Sequence, residues 1–464
     1  MRPVHTVTEV RAAEAGLMAT LPEGTLMGRA ADGLARCCAQ LLGRVYGSRV
    51  VLLVGSGNNG LDAVWAGRRL AARGAQVTVL HVADPAAAQQ AEAALARGVD
   101  LVVDAIVGIG GTGPLRPAAA ALVERLAGCG AWRVAVDLPS GVDADTGQIA
   151  GSVFEADVTV TFGCLKPGLV LDPGRSAAGI VELVDIGLGP WLAEPGITQL
   201  GATDVEHGWP WPGPADDKFS RGVLGVVAGS DAYPGAAVLC VGGALRAGAG
   251  LVRFLGPKLP STAVRLRWPE AVHGNGRVQA YVVGPGLGTG PESAERLLEV
   301  LASDVPVLVD ADGLNVLAHH KDWVRPRRAL TVLTPHAGEF GRFGRPPGDD
   351  RVAAARTLAM DLGAVVLLKG STTVVAHPDG QVQVNPTGSP WLATAGSGDV
   401  LAGIIGALLA AGVGDAAPAY GAFLHGLAAR RASSGGPITA LDLIESVPAA
   451  IVSLADADRT NPEG

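Results

Sequence analysis

Up to about residue 190, short β-branched runs end in glycine and alternate with alanine-rich stretches of helical spacing. The runs VVLLVG (50–55), VTVL (77–80), LVVDAIVG (101–108), VAVDLPSG (134–141) and VTVTFG (158–163) predict strands, and VELVDIG (181–187) closes the half. GLDAVWAGRRLAARG (60–74) predicts the helix after the first strand. Continuous apolar strands alternating with helices predict a parallel sheet covered on both faces. At 204–217, DVEHGWPWPGPADD has three prolines and no periodicity, which predicts a linker. The rhythm then restarts with GVLGVVAGS, AYVVGPGLG, VPVLVDADGLN, ALTVLTPH and AVVLLKG. TTVVAH and QVQV predict a hairpin around Pro378-Asp379-Gly380, and a helical C-terminus follows from Ser397. The expectation is two α/β domains, 1–203 and 218–464, with no internal repeat.

Composition narrows the class. Of 464 residues 48% are apolar and 17% charged, which argues against disorder. Lys and Arg total 36 against 44 Asp and Glu, a net charge of −8, so the chain is not built to coat nucleic acid or an anionic membrane. The five cysteines form no CxxC pair, which fits a reducing compartment. Glu9 and Glu14 stand where a signal peptide needs an apolar core, and the apolar stretch Val400 to Gly414 is too short to span a bilayer. A soluble cytoplasmic protein is expected. Cores this rich in small apolar residues point to a homo-oligomer.

In the first half, GSGNNGLDA (55–63) lies between strand and helix, where free backbone N–H groups suit a phosphate. Asn58, Asn59 and Asp62 are polar where a plain turn needs no polar side chain. VDAIVGIGGTGPLR (103–116) offers Asp104 and a glycine-rich turn, and VDLPSGVDADTG (136–147) offers Asp137 and Ser140. Loops at the carboxyl ends of parallel strands line the ligand crevice. Taken singly, any one of these aspartates reads equally as a helix cap or turn residue.

Together these loops resemble the NAD(P)H-hydrate epimerase family over about residues 1–200, with TVTEVRAAE and LMGRAADGLA fitting as well. The resemblance implies a Rossmann-like three-layer αβα domain. It implies hydrate binding by Asn58, Asn59, Gly60, Leu61 and Asp62, by Gly108, Ile109, Gly110, Gly111, Thr112, Gly113 and Pro114, and by Asp137. Asn59, Asp104 and Ser140 would bind potassium, and Asp62 would be the acid/base group. One departure stands out: the family pattern NNGGDG reads NNGLDA here, so Leu61 and Ala63 replace glycines. Side chains would be costly there if either position needs φ > 0, and slower epimerisation is expected.

In the second half, TAGSGDVLAGIIGALLAAG (394–412) places Gly396, Ser397, Gly398 and Asp399 at the start of a strongly apolar helix. Free N–H groups and the helix dipole make an anion hole there. A carboxylate at the same point can take the proton of a hydroxyl as it attacks a phosphoryl group. LLKGSTTVV (367–375) offers Lys369 and hydroxyls for phosphates, TPHAGEF (334–340) offers His336 and Glu339, VVGPGLG (282–288) is a glycine turn, and VDADGLN adds Asp310 and Asp312.

These motifs, in this order, resemble the ADP/ATP-dependent NAD(P)H-hydrate dehydratases from about Lys218 to His425, as do RGVLGVVAGSDAYPGAAVLCVGGALRAGAGLV and AYGAFLHGLA. The resemblance implies a ribokinase-like fold. Ala236, Gly286, His336 and Asp399 would contact the hydrate; Lys369, Gly370, Ser371, Thr372, Thr373 and Gly398 would hold ADP or ATP with Mg2+; and Asp399 would be the base. The implied substrates are the hydrates of NADH and NADPH, with no nucleic acid or membrane partner. Two alternatives stay open: a small-molecule kinase behind a non-catalytic binding domain, and a Rossmann dehydrogenase in the first half. Against the latter, no acid ends the second strand at Val79-Leu80-His81.

Overall fold

In the computed structural model, which describes residues 1–460, the chain divides into two compact units, one of Arg2–Ile197 and one from Thr198 onward, together with Met1. The first unit contains β1 (Arg2–Val4), β2 (Arg49–Val54), β3 (Gln76–His81), β4 (Leu101–Ala105), β5 (Trp132–Val136), β6 (Val158–Phe162) and β7 (Ile180–Val184). Six of them form one sheet in the order β3-β2-β4-β5-β6-β7, parallel throughout. The period of two divides each strand between two cores. Leu52, Val54, Val103, Val134 and Val160 pack with Leu34 and Leu70 of the helices Thr25–Leu42 and Asn58–Ala72. Val51, Leu53, Val102 and Ala135 turn to the other face, toward Ala91 and Leu122 of the helices Ala87–Arg97 and Pro117–Leu126. Both faces are therefore dry, which is why these strands are apolar without alternation.

The second unit is built on β8 (Ile197–Gln199), β9 (Val223–Val227), β10 (Leu251–Phe254), β11 (Val272–His273), β12 (Ala280–Val283), β13 (Val307–Val309), β14 (Thr331–Leu333), β15 (Val365–Leu368), β16 (Val374–Ala376) and β17 (Val382–Val384). Their order is β8-β17-β16-β15-β14-β13-β12-β9-β10-β11. The run from β15 through β12 and β9 to β11 is parallel, and β15-β16-β17 is antiparallel. The β16–β17 turn closes through His377 and Gly380, at the Pro-Asp-Gly signal. The helix Ser397–Ala410 is buried from Val400 to Ala410. It lies tightly on the helix Pro234–Arg246: a Cβ on Gly403 would stand 2.0 Å from the Cys240 carbonyl oxygen, and one on Gly243 2.4 Å from that of Val400. This close crossing fixes where the N-terminus of the apolar helix points. Among the described residues no helix is long and apolar enough to cross a membrane.

The stretch expected as a linker is not bare. Its first residues belong to the helix Ala202–Gly208, and Leu200, Val205 and Trp209 are buried in the second unit's core. Seven helical residues are too few for a 3.6-residue period to register in the sequence, so the prolines that follow dominate the reading. Only the part beyond runs as exposed turns, with Asp216 accepting from the Gly213 N–H at 2.7 Å.

Candidate active sites

In the first unit, the loops after β2, β4, β5 and β6 converge at the carboxyl edge of the sheet. The chain leaves β2 through Gly55, where a Cβ would stand 1.9 Å from the Ile106 carbonyl oxygen, so only glycine lets the two loops touch. Asn58 begins the next helix behind Gly57, which supplies no capping side chain. Asn59 donates its amide to the Val136 carbonyl at 3.0 Å, leaving its oxygen beside Gly108. Asp104 is fully buried, with no Lys or Arg paired to it among the described residues: one oxygen accepts from the Ser140 N–H at 2.8 Å, the other from the Ser140 hydroxyl at 2.7 Å and the Ile106 N–H at 3.2 Å. Burial pushes Asp104 up to about 6 against those three bonds. Ser140 also accepts from the Val107 N–H at 3.0 Å. Asn59, Asp104 and Ser140, three distant points of the sequence, thus meet around the turn that opens 108–114. That turn closes from the Gly111 N–H to the Gly108 carbonyl at 3.0 Å, and its far end, Thr112 to Pro114, is exposed.

Asp62 lies in the first turns of the helix Asn58–Ala72 and is raised to about 7 by burial, then by the charges of Asp137 and Glu14. Glu14, from the helix Val7–Met18, is raised by burial and by Asp137. Asp137 has φ 68, a left-handed conformation uncommon outside glycine. Its Oδ1 accepts from the Lys166 ammonium at 2.6 Å and from the Thr161 hydroxyl at 3.1 Å. Leu61 and Ala63 do not have positive φ. Both sit inside the helix, Ala63 fully buried and Leu61 exposed, so the missing glycines bring no backbone strain.

The second unit also gathers its polar groups at the carboxyl ends of parallel strands. Asp310 follows β13, His336 and Glu339 follow β14, and Lys369 follows β15. His336 and Lys369 bridge as parallel neighbours. The Lys369 ammonium lies 2.8 Å from Asp310 Oδ1 and 3.6 Å from Glu339 Oε2. Burial works against that charge, but Asp310 and Glu339 outweigh it and raise the lysine above its ordinary value. Glu339 Oε2 accepts from the His336 N–H at 2.8 Å, and His336 Nδ1 accepts from the Gly338 and Glu339 N–H groups. His336 Nε2 lies 3.5 Å from Glu339 Oε1, on an otherwise exposed side chain. Asp312 Oδ2 takes the Gly288 N–H at 2.9 Å, tying the glycine turn after β12 to this edge. Within that turn, a Cβ on Gly286 would lie 2.7 Å from Ala236 Cβ, so these two positions share one wall.

Asp399 enters from the helix Ser397–Ala410. Gly396 caps the helix at φ 83, and no side chain blocks its first N–H groups. Asp399 is raised to about 7 by burial first, then by Asp310, with Lys369 pulling the other way. A Cβ on Gly398 would stand 3.5 Å from the Lys369 ammonium. In the Lys369–Thr373 loop, Gly370 and Ser371 are exposed and Thr372 and Thr373 buried. The edge therefore combines an anion hole, a cation already shared by two carboxylates, and a carboxylate raised to about 7. That set suits moving a proton off a hydroxyl that attacks a phosphoryl group.

A family model described as NAD(P)H-hydrate dehydratase matches residues 224–448, and one described as YjeF-related protein N-terminus matches 23–97 and 85–168. Over 435 residues the chain is 51% identical to the bifunctional NAD(P)H-hydrate repair enzyme Nnr of Mycobacterium tuberculosis (strain ATCC 25618 / H37Rv), covering 89% of this chain and 90% of that protein. The chain belongs to the bifunctional NAD(P)H-hydrate repair enzyme family. Among solved structures, this repair-family chain is similar to the ADP/ATP-dependent NAD(P)H-hydrate dehydratase from Bacillus subtilis co-crystallized with ATP/Mg2+, at 28% identity and TM-score 0.51 over 55% of this chain and 98% of that one. A ribokinase-like superfamily protein from Enterococcus faecalis V583, 22% identical, TM-score 0.51, covered 98% by 57% of this chain, shares the fold.

Sequence reasoning missed several groups at these edges. Lys166 is fully buried beside Asp137, and FGCLKPG at the end of a predicted strand was the available signal. Glu14 carries no local signal, because only the packing of its helix brings it near Asp62. Arg351 donates to the Lys369 carbonyl at 3.0 Å beneath the 369–373 loop. His425, held at about 4 by burial, bonds the Ser397 carbonyl at 2.9 Å and so braces the start of the catalytic-edge helix.

Proposed function

We propose that the protein repairs hydrated NADH and NADPH by two reactions, epimerisation of the R and S hydrates in the first unit and nucleotide-dependent dehydration of the S hydrate in the second. The observation that carries the reading is Asp399, raised to about 7 at the open N-terminus of a buried helix beside Lys369 and Asp310. Hydration places a hydroxyl on the carbon next to the ring nitrogen, and hydroxide leaves poorly. Asp399 takes the hydroxyl proton as the oxygen attacks the terminal phosphoryl group of ADP or ATP. The ring nitrogen's lone pair then expels phosphate, and loss of a proton from the neighbouring carbon restores the double bond. Gly398 and residues 369–373 hold the nucleotide, while Ala236, Gly286 and His336 line the hydrate. Three carboxylates, Asp310, Glu339 and Asp399, stand against one ammonium, Lys369, an excess of negative charge that fits Mg2+ arriving with the nucleotide. Asp310 and Glu339 would hold the ion, which when bound neutralises phosphoryl oxygens.

In the first unit, Asp62 exchanges a proton with the ring hydroxyl or ring nitrogen during opening and reclosure, for which a group near 7 is matched. Asn58 to Asp62, residues 108–114 and Asp137 hold the hydrate. Asp104 is a buried carboxylate with no Lys or Arg paired to it among the described residues, and Asn59 and Ser140 add neutral oxygens, a donor set that fits potassium. The protein is expected to act in the cytoplasm as a homo-oligomer.

The test mixes the full chain with S hydrate, Mg2+ and either nucleotide, following NADPH absorbance. Recovery of NADPH with stoichiometric nucleotide consumption is expected. Accumulation of a stable phosphate ester would make the second unit a small-molecule kinase instead. Purified R hydrate, converted in potassium buffer by wild type but not by Asp62→Asn, tests the first unit.

A further inference from the structure

Lys166 is among the largest fully buried side chains of the described residues, and nothing in the reaction as written uses it. Its ammonium has three protons, and all three are engaged: Asp137 Oδ1 at 2.6 Å, the Thr161 hydroxyl at 2.9 Å and the Phe162 carbonyl at 2.9 Å. A lysine placed only to fill space would not be chosen for a dry site, where an ammonium is costly unless fully paired. Its partner is also unusual. Asp137 holds a left-handed backbone at φ 68, and such a conformation persists only where the surroundings over-determine it. The Lys166 and Thr161 bonds to Oδ1 supply that restraint.

We propose that Lys166 is the positioning residue of the first unit's site, pinning the Asp137 carboxylate in its left-handed position so that it acts on Asp62 from a fixed place. The inference rests on the epimerase reading of that unit. Charged groups reach the crevice from several elements. Asp137 and Glu14 face Asp62, and both raise it after burial. Arg11, Lys166 and Asp137 act on Glu14. Cys164, with Lys166, Asp137, Glu14 and Glu9 around it, is pushed up to about 11 and stays neutral. Lys166 touches Asp137 directly and also bears on Glu14, so its influence reaches Asp62 mainly through the pinned Asp137 and to a lesser degree through Glu14. In Lys166→Met, three carboxylates remain without the buried ammonium. Asp137, the one that has lost its partner, is no longer pinned at the position from which its charge reaches Asp62. Asp62 then loses a like charge and gives up its own proton more easily.

The experiment follows R hydrate conversion from pH 5.5 to 9, with an excess of full-length Asp62→Asn protein as the dehydrating partner and its own background subtracted. Wild type is expected to show an inflection near pH 7 belonging to Asp62. Lys166→Met should move it down by about 1 pH unit, the size of a nearby like charge removed. Thr161→Val, a milder change that removes one of the two donors to Asp137, should move it the same way by less. Asp137→Asn should also lower it, and adding Lys166→Met to Asp137→Asn should move it little further, by only the part that passes through Glu14. An inflection that stays put or rises in Lys166→Met, or a full further shift in the double variant, overturns the proposal. If Lys166→Met fails to fold, which its melting curve reports, Thr161→Val and Asp137→Asn decide. Wild type without any acceleration of R hydrate would instead overturn the epimerase reading, and this inference with it.

Discussion

Replacing Asp399 by asparagine should pull activity and stability in opposite directions. The carboxyl is carried from an ordinary 3.8 to about 7 by burial and by Asp310. The folded state therefore binds this proton more tightly than the unfolded chain does. Stability is full below about pH 4, falls as pH climbs toward 7 and is level above, the reverse of a salt-bridged aspartate. At ~1.4 kcal/mol per pH unit the loss is at most ~4 kcal/mol. Contact of this partly exposed side chain with water brings it to about 2 kcal/mol. Asparagine keeps the shape and cannot ionise. Relative to wild type, Asp399→Asn should gain about 2 kcal/mol at pH 8 over its standing at pH 4.5. Amide exchange of Leu401–Leu409 across a urea series measures this within the second unit alone. Dehydration should fall by ~10²-fold or more, as for a lost acid/base group, with nucleotide binding kept. Wild-type dehydration should rise about tenfold from pH 6 to pH 8, the growth of the ionised fraction of a group at about 7. Near-normal turnover in the variant would remove Asp399 as the base. A stability difference equal at both pH values would refute the charge argument.

Lys369→Ala should raise the nucleotide KM more than the hydrate KM, and because Lys369 holds Asp399 down, the pH at which dehydration half-rises should move up; equal KM effects and a fixed profile would make the lysine purely structural. A chain starting at Thr198 should fold and dehydrate S hydrate, whereas one starting at Asp216 loses Leu200, Val205 and Trp209 from its core, each worth ~1.5–3 kcal/mol when buried, and should melt markedly lower; equal melting would show that these residues add nothing. Leu61→Gly with Ala63→Gly should cost about 1 kcal/mol of helix stability per site without relieving strain, since neither residue has positive φ; faster R hydrate conversion would then be traced to the exposed Leu61 side chain narrowing the site.

Much of the fold was already dictated locally. Buried parallel strands must be apolar on both faces, and glycine must follow where loops touch, so β2, β4, β5 and β6 and the order of the motifs stand in the sequence. The Pro-Asp-Gly hairpin and the apolar helix from Ser397 were equally legible, because turn chemistry and a continuous apolar run are short-range signals. The helix Ala202–Gly208 was not, since one buried face of seven residues is indistinguishable from a loop until Val205 and Trp209 meet their core. The sequence named Asp62, Asp104, Asp137, Asp310 and Asp399 as polar groups near strand ends. Only the tertiary structure decided what surrounds them, because those neighbours lie far along the chain: Glu14 and Asp137 for Asp62, Ser140 for Asp104, Lys166 for Asp137, Asp310 and Lys369 for Asp399. Burial and electrostatics act through space over a few ångströms, and no local pattern records which residues will share that space.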